Sequence, residues 1–276
     1  QSTGYTKLLL HLDGPNGSTY FMDEAGKSAL AGGGVRIDTA QGKFGGSSAF
    51  LDGDRDYLSV SDSDDWNFGS GDFTIDLFIR FNVLTDCIFM AQVEDTLNYL
   101  YFGYDKASNN LQFNSVDNGI SWRWQYFPWA ASANTWYHIA LVRSGDTLKV
   151  FVNGSQVGGY VDASGKSIGD FNGPLRIGGE PTTFGNYFNG WMDEVRVSKG
   201  IARWTSNFTP PNAPYTVNSG DPQGAPTNSI KDSTGETCVG KTQSAGYKIE
   251  AGFMYFASSS PPQQTQTILN FSWKEN

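Results

Sequence analysis

The amino-acid sequence predicts an all-β protein, in which one large β-sandwich is followed by a short second β-module. Aromatic residues make up 14% of the 276 residues and glycine occurs 33 times, a composition typical of short strands joined by tight turns. Strand-like segments recur about every ten residues from Lys7 to Ser198, and no convincing amphipathic helix interrupts them. A chain of this length can hold one sandwich and a small extra module.

Three segments carry clear strand patterns. In Asp72–Phe81, large apolar side chains occupy every second position, so one face of this strand is expected to be buried. Thr135–Arg143 is apolar on both faces, as expected for a central strand. Tyr187–Ser198 is expected to be the last strand of the sandwich, followed by a short helical turn at Gly200–Trp204.

A hairpin is predicted around Asn153-Gly154. This residue pair tolerates the positive φ angles that both positions of a type I′ turn require. Lys149–Asn153 and Ser155–Val157 are therefore expected to be its two strands.

Beyond the sandwich, assigned to residues 1–206, the composition changes. Residues 207–228 contain five prolines, which cannot donate to a strand ladder, so a linker or an extended strap is predicted there. Residues 229–276 are expected to form a small β-rich module with strands at Cys238–Val239, Tyr247–Phe256 and Thr267–Trp273. Because three short strands bury little surface, this module is expected to dock on the sandwich, on a partner chain, as in a homo-oligomer, or on another domain.

Charge and cysteine content exclude several classes of protein. The 19 basic and 28 acidic residues give a net charge of −9, which argues against nucleic acid as a partner. No run of apolar residues is long enough to insert into a membrane. The sequence begins at Gln1 without methionine, from which we expect a removed leader and a secreted, extracellular protein. Cys87 and Cys238 are either two unrelated thiols or one long-range disulfide.

Seven short phrases, spread in order over roughly residues 6–215, carry a family resemblance. They are Leu8-Leu9-Leu10-His11-Leu12-Asp13-Gly14, Phe44-Gly45-Gly46-Ser47-Ser48-Ala49-Phe50, Asp52-Gly53 with Asp56-Tyr57-Leu58, Gly71-Asp72-Phe73-Thr74-Ile75, Trp136-Tyr137-His138-Ile139-Ala140, Phe151-Val152-Asn153-Gly154 and Gly190-Trp191-Met192-Asp193-Glu194-Val195-Arg196-Val197. Together they resemble the laminin-G-like jelly roll of the concanavalin A-like lectin/glucanase superfamily, as found in bacterial and phage surface proteins. The resemblance implies a jelly-roll β-sandwich, but this fold hosts many functions.

The resemblance also implies a structural Ca²⁺ ion at the edge where the first and last strands meet. The matching positions are Asp13, Asp23, Asp52-Gly53 and Asp193. Calcium takes six to eight oxygen ligands, and acidic residues in sequence-distant loops suit that need. The alternative is that Asp13 and Asp52 only cap turns, since Asp-Gly is a common turn pair.

The run from Ser121 to Trp129 is the most unusual feature of the sequence. If it is extended, Trp122, Trp124 and Tyr126 share one face and Arg123 lies on the other. Such a row suits a glycan platform, because sugar rings stack on flat aromatics while polar groups bind hydroxyls. The alternative is that these rings belong to the core or to a subunit interface. Trp129, which is expected in a loop, is the better candidate for exposure.

Catalysis is not expected, although glucanases share this fold. Their Glu-x-Asp-x-x-Glu strand motif does not occur in the sequence. The adjacent acidic pairs Glu94-Asp95 and Asp193-Glu194 point to opposite faces of a strand, whereas a retaining glycosidase needs two carboxylates on one site. His11 and His138 lie inside strand patterns and are expected to be structural.

Two hypotheses of function follow. The first is a non-catalytic carbohydrate-binding or adhesion module at a cell surface, with a glycan or surface polysaccharide as its partner. The second is a structural surface protein, either a virion or tail-fibre component or the subunit of an extracellular filament. The proline-rich strap and the small tail module favour the second, because both are suited to packing against a neighbouring chain.

Overall fold

Nearly every regular element is a strand. The computed structural model describes residues 4–118, 120–217, 247–250 and 253–256. Within these ranges a single 3-10 turn at Asp64–Trp66 is helical, so the all-β prediction is confirmed. The helical turn predicted at Gly200–Trp204 is wrong. Its backbone groups bind strand residues instead, since the carbonyl of Ile201 accepts from the Thr74 hydroxyl and the amide of Arg203 donates to the same hydroxyl.

Two eight-stranded antiparallel sheets make up the sandwich. Sheet A consists of β1 (Thr6–Leu10), β4 (Arg36–Asp38), β5 (Ser48–Asp52), β7 (Phe73–Phe81), β12 (Trp136–Ser144), β13 (Thr147–Val152), β14 (Ser155–Asp162) and β16 (Asn189–Lys199). Its spatial order is β14-β13-β12-β7-β16-β5-β4, and β1 pairs with the far end of β16, beside β5.

Sheet B is the second layer. Its strands are β2 (Phe21–Met22), β3 (Ser28–Gly32), β6 (Tyr57–Val60), β8 (Cys87–Asp95), β9 (Asn98–Asp105), β10 (Asn110–Asp117), β11 (Ile120–Pro128) and β15 (Leu175–Ile177). They lie in the order β11-β10-β9-β8-β15-β6-β3-β2, with β11 and β2 at the two edges.

The core lies between the inner faces of the two sheets. Alternation along β7 is as predicted, because Phe73, Ile75, Leu77, Ile79 and Phe81 all belong to the main buried cluster. Side chains of a strand alternate between faces, so the intervening residues of β7 point to the outer face of sheet A. The predicted hairpin is also confirmed, with positive φ angles of 48° at Asn153 and 77° at Gly154.

Residues 200–217, which we call the strap, pack on the outer face of sheet A. Trp204 and Phe208 stack on each other with ring centroids 4.1 Å apart and pack against Phe151 and its buried neighbours. Further along, Tyr215 is buried with Phe78. The first half of the proline-rich segment is therefore held against the sandwich by large aromatic side chains.

The chain divides into two units, residues 1–225 and residues 226–276. In the second unit Tyr247–Glu250 (β17) and Phe253–Phe256 (β18) form an antiparallel hairpin, where the sequence predicted one strand over Tyr247–Phe256. The other predicted tail strands, and Cys238, lie outside the described residues. Cys87 is a buried free thiol whose pKa is raised by burial. The described residues contain no helix long and apolar enough to cross a membrane.

Candidate functional site

The first candidate site lies at an interruption in strand β16. On one side, β16 pairs with β5 as far as Met192 and with β1 from Val195 onward. On its other side, the register against β7 shifts between Asp193 and Arg196. Asp193 and Glu194 thus stand where the regular ladder is broken, and bulges of this kind redirect side chains.

Asp193, Glu194 and Asp13, which follows β1, form what we call the acidic centre. Asp193 is fully buried, and its Oδ2 accepts hydrogen bonds from the amides of Lys43, at 2.7 Å, and Phe44, at 3.1 Å. Its Oδ1 is buried without a hydrogen-bond partner among the described residues. Burial raises the pKa of Asp193 to about 8, and the nearby carboxylates of Glu194 and Asp13 add to this rise. A buried acceptor that lacks a donor suits a bound cation.

Asp13 is held by the loop that precedes β5. Its Oδ1 accepts a hydrogen bond from the Ser47 hydroxyl at 3.1 Å, and the same hydroxyl accepts from the amide of Gly14 at 3.0 Å. The Asp13 carboxylate also lies directly against Gly45, where any side chain would collide with it. Gly45 has a φ of 61°, so this position requires glycine both for conformation and for space.

Glu194 is buried and joins the acidic centre to two other elements. Its Oε1 lies 2.8 Å from Nδ1 of His11, and its Oε2 accepts the backbone N–H of Tyr215 at 2.8 Å. The hydrogen bond with Glu194 raises the pKa of His11. Both Glu194 and Leu12 adopt left-handed backbone conformations, with φ of 50° and 60°. Strain of this kind in non-glycine residues persists where the surroundings over-determine it, and it clusters at functional sites.

The structure does not bring Asp23 into the acidic centre. Its carboxylate accepts hydrogen bonds from the backbone amides of Leu9, at 2.7 Å, Ala25, at 3.0 Å, and Lys27, at 2.8 Å. Both oxygens are therefore committed, to the turn between β2 and β3 and to the amide of Leu9 in β1.

Asp52 and Gly53 also lie elsewhere. Asp52 pairs with Asn189 of β16. Because Asn189 lies four residues before Asp193, Asp52 is about 13 Å from Asp193 along the strand direction. Its Oδ1 accepts the amide of Asp54 at 2.8 Å, which is the turn contact that was the alternative to metal binding. Gly53 adopts a φ of 88° in that turn.

Of the five predicted metal-site residues, the structure thus brings two together, Asp13 and Asp193. No group of three His, Cys, Asp or Glu side chains suited to a metal occurs in the described part of the chain. A calcium ion at this place would need carbonyl or water oxygens beside the two carboxylates, which is common for this cation.

The structure does not place Trp122 and Tyr126 on one face, and for Trp122 the alternative of a place in the core holds. Trp122 is 5% exposed and packs edge-to-face on Phe113 in the core, with ring centroids 5.4 Å apart. A register shift explains this: Phe113 pairs with Gln125, but Ser115 pairs with Trp122, so β11 contains one residue more than β10 in between. Because of this bulge, the side chain of Trp122 faces the core and does not share the outer face of the sheet with Tyr126. Tyr126, in contrast, is 45% exposed.

The remaining members of the run fall into two groups. Trp129 is partly buried and packs edge-on against Tyr137, at 4.9 Å, and Tyr104, at 5.7 Å, which leaves it little freedom as a platform. The side chains of Arg123 and Trp124 lie outside the described part of the structure.

A second candidate site surrounds Tyr126, a predicted platform residue, on the outer face of sheet B, and its other members were not predicted from the sequence. Gln112 of β10 lies in register between Gly103 of β9 and Tyr126 of β11. A side chain at position 103 would collide with the backbone of β8, and because Gly103 has none, the sheet surface beside Gln112 is flat. Next to this row, Tyr101 pairs with Asn114, which is fully buried and whose Oδ1 has no partner among the described residues. We call these five residues the sheet B face.

A turn over residues 180–185 borders the sheet B face. Glu180 is fully buried and accepts hydrogen bonds from the backbone amides of residues 182–184. Burial opposes its ionisation, but the hydrogen bonds from the turn outweigh burial and lower the pKa of Glu180. The turn places Phe184 over Tyr99 and Tyr101, with ring centroids 4.9 Å and 5.3 Å apart. The sequence analysis did not use the alternation of Tyr99 and Tyr101, which is the signal that could have revealed this aromatic face.

Comparison with known proteins adds a family and a fold. Residues 52–203 match Laminin_G_3, a family of the concanavalin A-like lectin/glucanases superfamily. No curated protein sequence matched the chain.

Among solved structures, domain 4 of AbnA, a GH43 extracellular arabinanase from Geobacillus stearothermophilus in complex with arabinotriose, is 18% identical with a TM-score of 0.52. The match covers 72% of this chain and 95% of that domain. The binding domain of Paraclostridial Mosquitocidal Protein 1 is 16% identical with a TM-score of 0.56, over 73% of this chain and 50% of that one. The botulinum neurotoxin DC binding domain in complex with SialylT is 14% identical with a TM-score of 0.51, and the match covers 73% of this chain and 50% of that one.

The chain spans about half the length of these toxin binding domains. At such identities the likeness concerns the fold alone, and it agrees with two packed antiparallel sheets. The family match covers more than half of the 276 residues. The predicted fold and family are confirmed, and the chain belongs to the concanavalin A-like lectin/glucanase superfamily.

Proposed function

We propose that this chain is a non-catalytic, extracellular carbohydrate-binding or adhesion module whose loops are held by a structural calcium ion. The observation that carries the proposal is the sheet B face, where the exposed ring of Tyr126 lies in register with the amide of Gln112. The complexes of the arabinanase domain with arabinotriose and of the toxin domain with SialylT support the choice of a glycan as partner.

The chemistry of this face suits a sugar ring. An aromatic side chain offers an apolar surface to the C–H groups of a pyranose, while an amide can donate to one hydroxyl and accept from another. Gln112 is 8% exposed, so its hydrogen bonds would form in a partly desolvated place, where they are stronger than in water. The net charge of −9 favours a neutral glycan over a polyanionic one.

A bound calcium ion would relieve an unfavourable charge in the acidic centre. Ionisation of Asp193 is unfavourable because its carboxylate is buried beside Glu194 and Asp13. A divalent cation between Asp13 and Asp193 would neutralise this charge and would occupy the unpartnered Oδ1 of Asp193. The loop from Lys43 to Ser47, which contacts both carboxylates, would then be held more firmly.

The absence of catalysis is supported by how the acidic pair Asp193-Glu194 is used. Asp193 binds two backbone amides, and Glu194 binds His11 and the backbone of Tyr215. Neither is available as a general acid beside a bound sugar.

A glycan array followed by calorimetry on the full chain tests the carbohydrate partner. Tyr126→Ala is expected to weaken binding about tenfold or more, because a central aromatic anchor is lost. Tyr160→Ala is the matched control, since Tyr160 is 64% exposed on β14 of sheet A. Equal loss in both variants, or no loss in Tyr126→Ala, would move the binding site away from the sheet B face.

A structural surface protein, such as a virion or tail-fibre component or a filament subunit, is the second candidate. Exposed apolar side chains near the β2 edge of sheet B favour it: Tyr20 is 71% exposed, Met22 59% and Leu30 65%. Patches of this kind mark contact surfaces. Size-exclusion chromatography with light scattering tests it: a stable oligomer that dissociates in a Tyr20→Ser/Leu30→Ser variant, or on deletion of residues 216–276, supports this candidate. A monomer at all concentrations contradicts it.

A further inference from the structure

Two chain segments meet at the acidic centre, and each holds a carboxylate next to a residue with a left-handed backbone conformation. Asp13 follows Leu12, and Asp193 precedes Glu194. Asp13 and Asp193 contact the loop before β5. Glu194 instead contacts His11 and the strap. One peptide unit therefore separates the proposed cation ligand Asp193 from the residue that holds the strap.

Tyr215 anchors the strap through its backbone, its hydroxyl and its ring. Its backbone N–H donates to Glu194, and its hydroxyl lies 3.0 Å from Nε2 of His138. The guanidinium of Arg196 lies 4.0 Å from the centroid of its ring, within cation–π range. The hydrogen bond from the Tyr215 amide to the Glu194 carboxylate is thus the direct link between this anchor and the acidic centre.

We propose that Glu194 couples the cation site to the strap, so that cation binding between Asp13 and Asp193 and docking of residues 200–217 stabilise each other. This inference rests on the calcium site of the proposed function. The backbone of Glu194 is strained, and such a conformation persists only when its surroundings hold it on both sides. A cation that fixes Asp193 lowers the free-energy cost of ordering Glu194 for its hydrogen bond with Tyr215. Docking of Tyr215 likewise lowers the free-energy cost of ordering Asp193 for cation binding.

Hydrogen exchange of the full chain, measured with CaCl₂ and with EDTA, tests the coupling at the strap. Calcium is expected to slow exchange of the Tyr215 amide and its neighbours by at least about fivefold, the lower end of typical coupling between sites. Calorimetry with CaCl₂ on the same sample measures the calcium affinity independently.

Glu194→Gly is the decisive variant. Glycine accepts a positive φ without strain, so the backbone geometry of Asp193 is kept while the link to Tyr215 is removed. This variant is expected to bind calcium, but exchange in residues 205–217 should no longer respond to it. An undiminished response in Glu194→Gly overturns the proposal.

The effect of strap docking on calcium affinity is tested with a variant that leaves the acidic centre unaltered. Phe208→Ala removes a ring that stacks on Trp204 and loosens the strap. Since coupling is reciprocal, this variant is expected to weaken calcium binding by up to the factor by which calcium protects the strap. Leu97→Ala, an exposed position in the turn after β8, is the control and should leave calcium affinity unchanged.

The outcomes separate the two proposals. If the wild-type chain takes up no calcium, the calcium site and the coupling both fail. If it binds calcium but strap exchange does not change, or if Phe208→Ala binds calcium as the wild type does, the coupling alone is wrong and the calcium site stands.

Discussion

The outer faces of the two sheets are treated in opposite ways. On sheet A, the strap covers a fully buried polar cluster of Asp76, His138 and Arg196, and Tyr215 completes it. On sheet B, a turn covers only part of the face, and Tyr126 stays exposed beside Gln112. The strap thus covers the polar cluster of one outer face with residues of the chain itself, whereas part of the other outer face stays exposed at Tyr126.

Sealing the outer face of sheet A depends on exact charge pairing. Burial opposes ionisation of Asp76, but the two-pronged contact with Arg196, at 3.0 Å and 2.9 Å, outweighs it and keeps the pKa of Asp76 well below its usual range. Burial lowers the pKa of His138. Polar residues on the outer face of a sheet can therefore be buried where every charge has a partner.

The largest effect is expected from removing one partner in this sealed cluster. Arg196→Met leaves the Asp76 carboxylate buried without its counter-ion, which is expected to cost about 3–5 kcal/mol of unfolding free energy, measured in urea. In the double variant Arg196→Met/Asp76→Leu, part of this loss should return, because no buried charge is left unpaired. A double variant less stable than the single one would contradict this explanation.

The acidic centre, between the strap and the loop before β5, should make stability depend on pH. With a pKa of about 8, folded Asp193 keeps its proton up to that pH, whereas the unfolded chain loses it near 4. Folding therefore takes up a proton in this window, and in EDTA the unfolding free energy is expected to fall with rising pH, by up to about 1.4 kcal/mol per unit. Urea titrations between pH 5 and 8 measure the slope.

Asp193→Asn is the control for this pH dependence, because it keeps the shape of the side chain and cannot ionise. The difference in slope between the two proteins isolates Asp193 from His11, whose raised pKa acts in the same direction. Equal slopes would show that Asp193 is not the group responsible.

A smaller effect is expected at the strap anchor. Tyr215→Phe removes the hydroxyl 3.0 Å from His138 Nε2 and leaves a buried nitrogen without that partner, which is expected to cost about 1–3 kcal/mol. Tyr160→Phe, at an exposed position, should be neutral in the same denaturation experiment. If both variants match the wild type, the hydroxyl contact does not stabilise the strap.

The smallest effect on stability is expected on the open face. Tyr126→Ala should change the unfolding free energy by no more than about 0.5 kcal/mol, because the ring is half exposed, while glycan binding weakens about tenfold or more. Thermal unfolding with and without the bound glycan measures both. A large stability loss in Tyr126→Ala would place this ring among the structural residues.

Most of the sandwich could be predicted because its signals are local. The buried face of β7 follows from alternation at every second residue, and the hairpin after β13 follows from Asn153-Gly154, where both residues take positive φ angles. The candidate sites could be predicted only in part. Asp13 and Asp193 were recognised from the phrases around them, but nothing in their neighbours distinguished them from Asp23, whose oxygens the turn uses itself.

What the sequence by itself determined is the fold class, the family, through the phrases that resemble it, and where several strands lie along the chain, because alternation and turn chemistry depend on residues a few positions apart. The tertiary structure decided which way Trp122 points, through a bulge that depends on pairing with β10. It also decided where the ladder of β16 is interrupted, so that Glu194 meets Tyr215 of the strap, 21 residues further along the chain. These features arise from contacts between strands, which spacing along one segment does not encode.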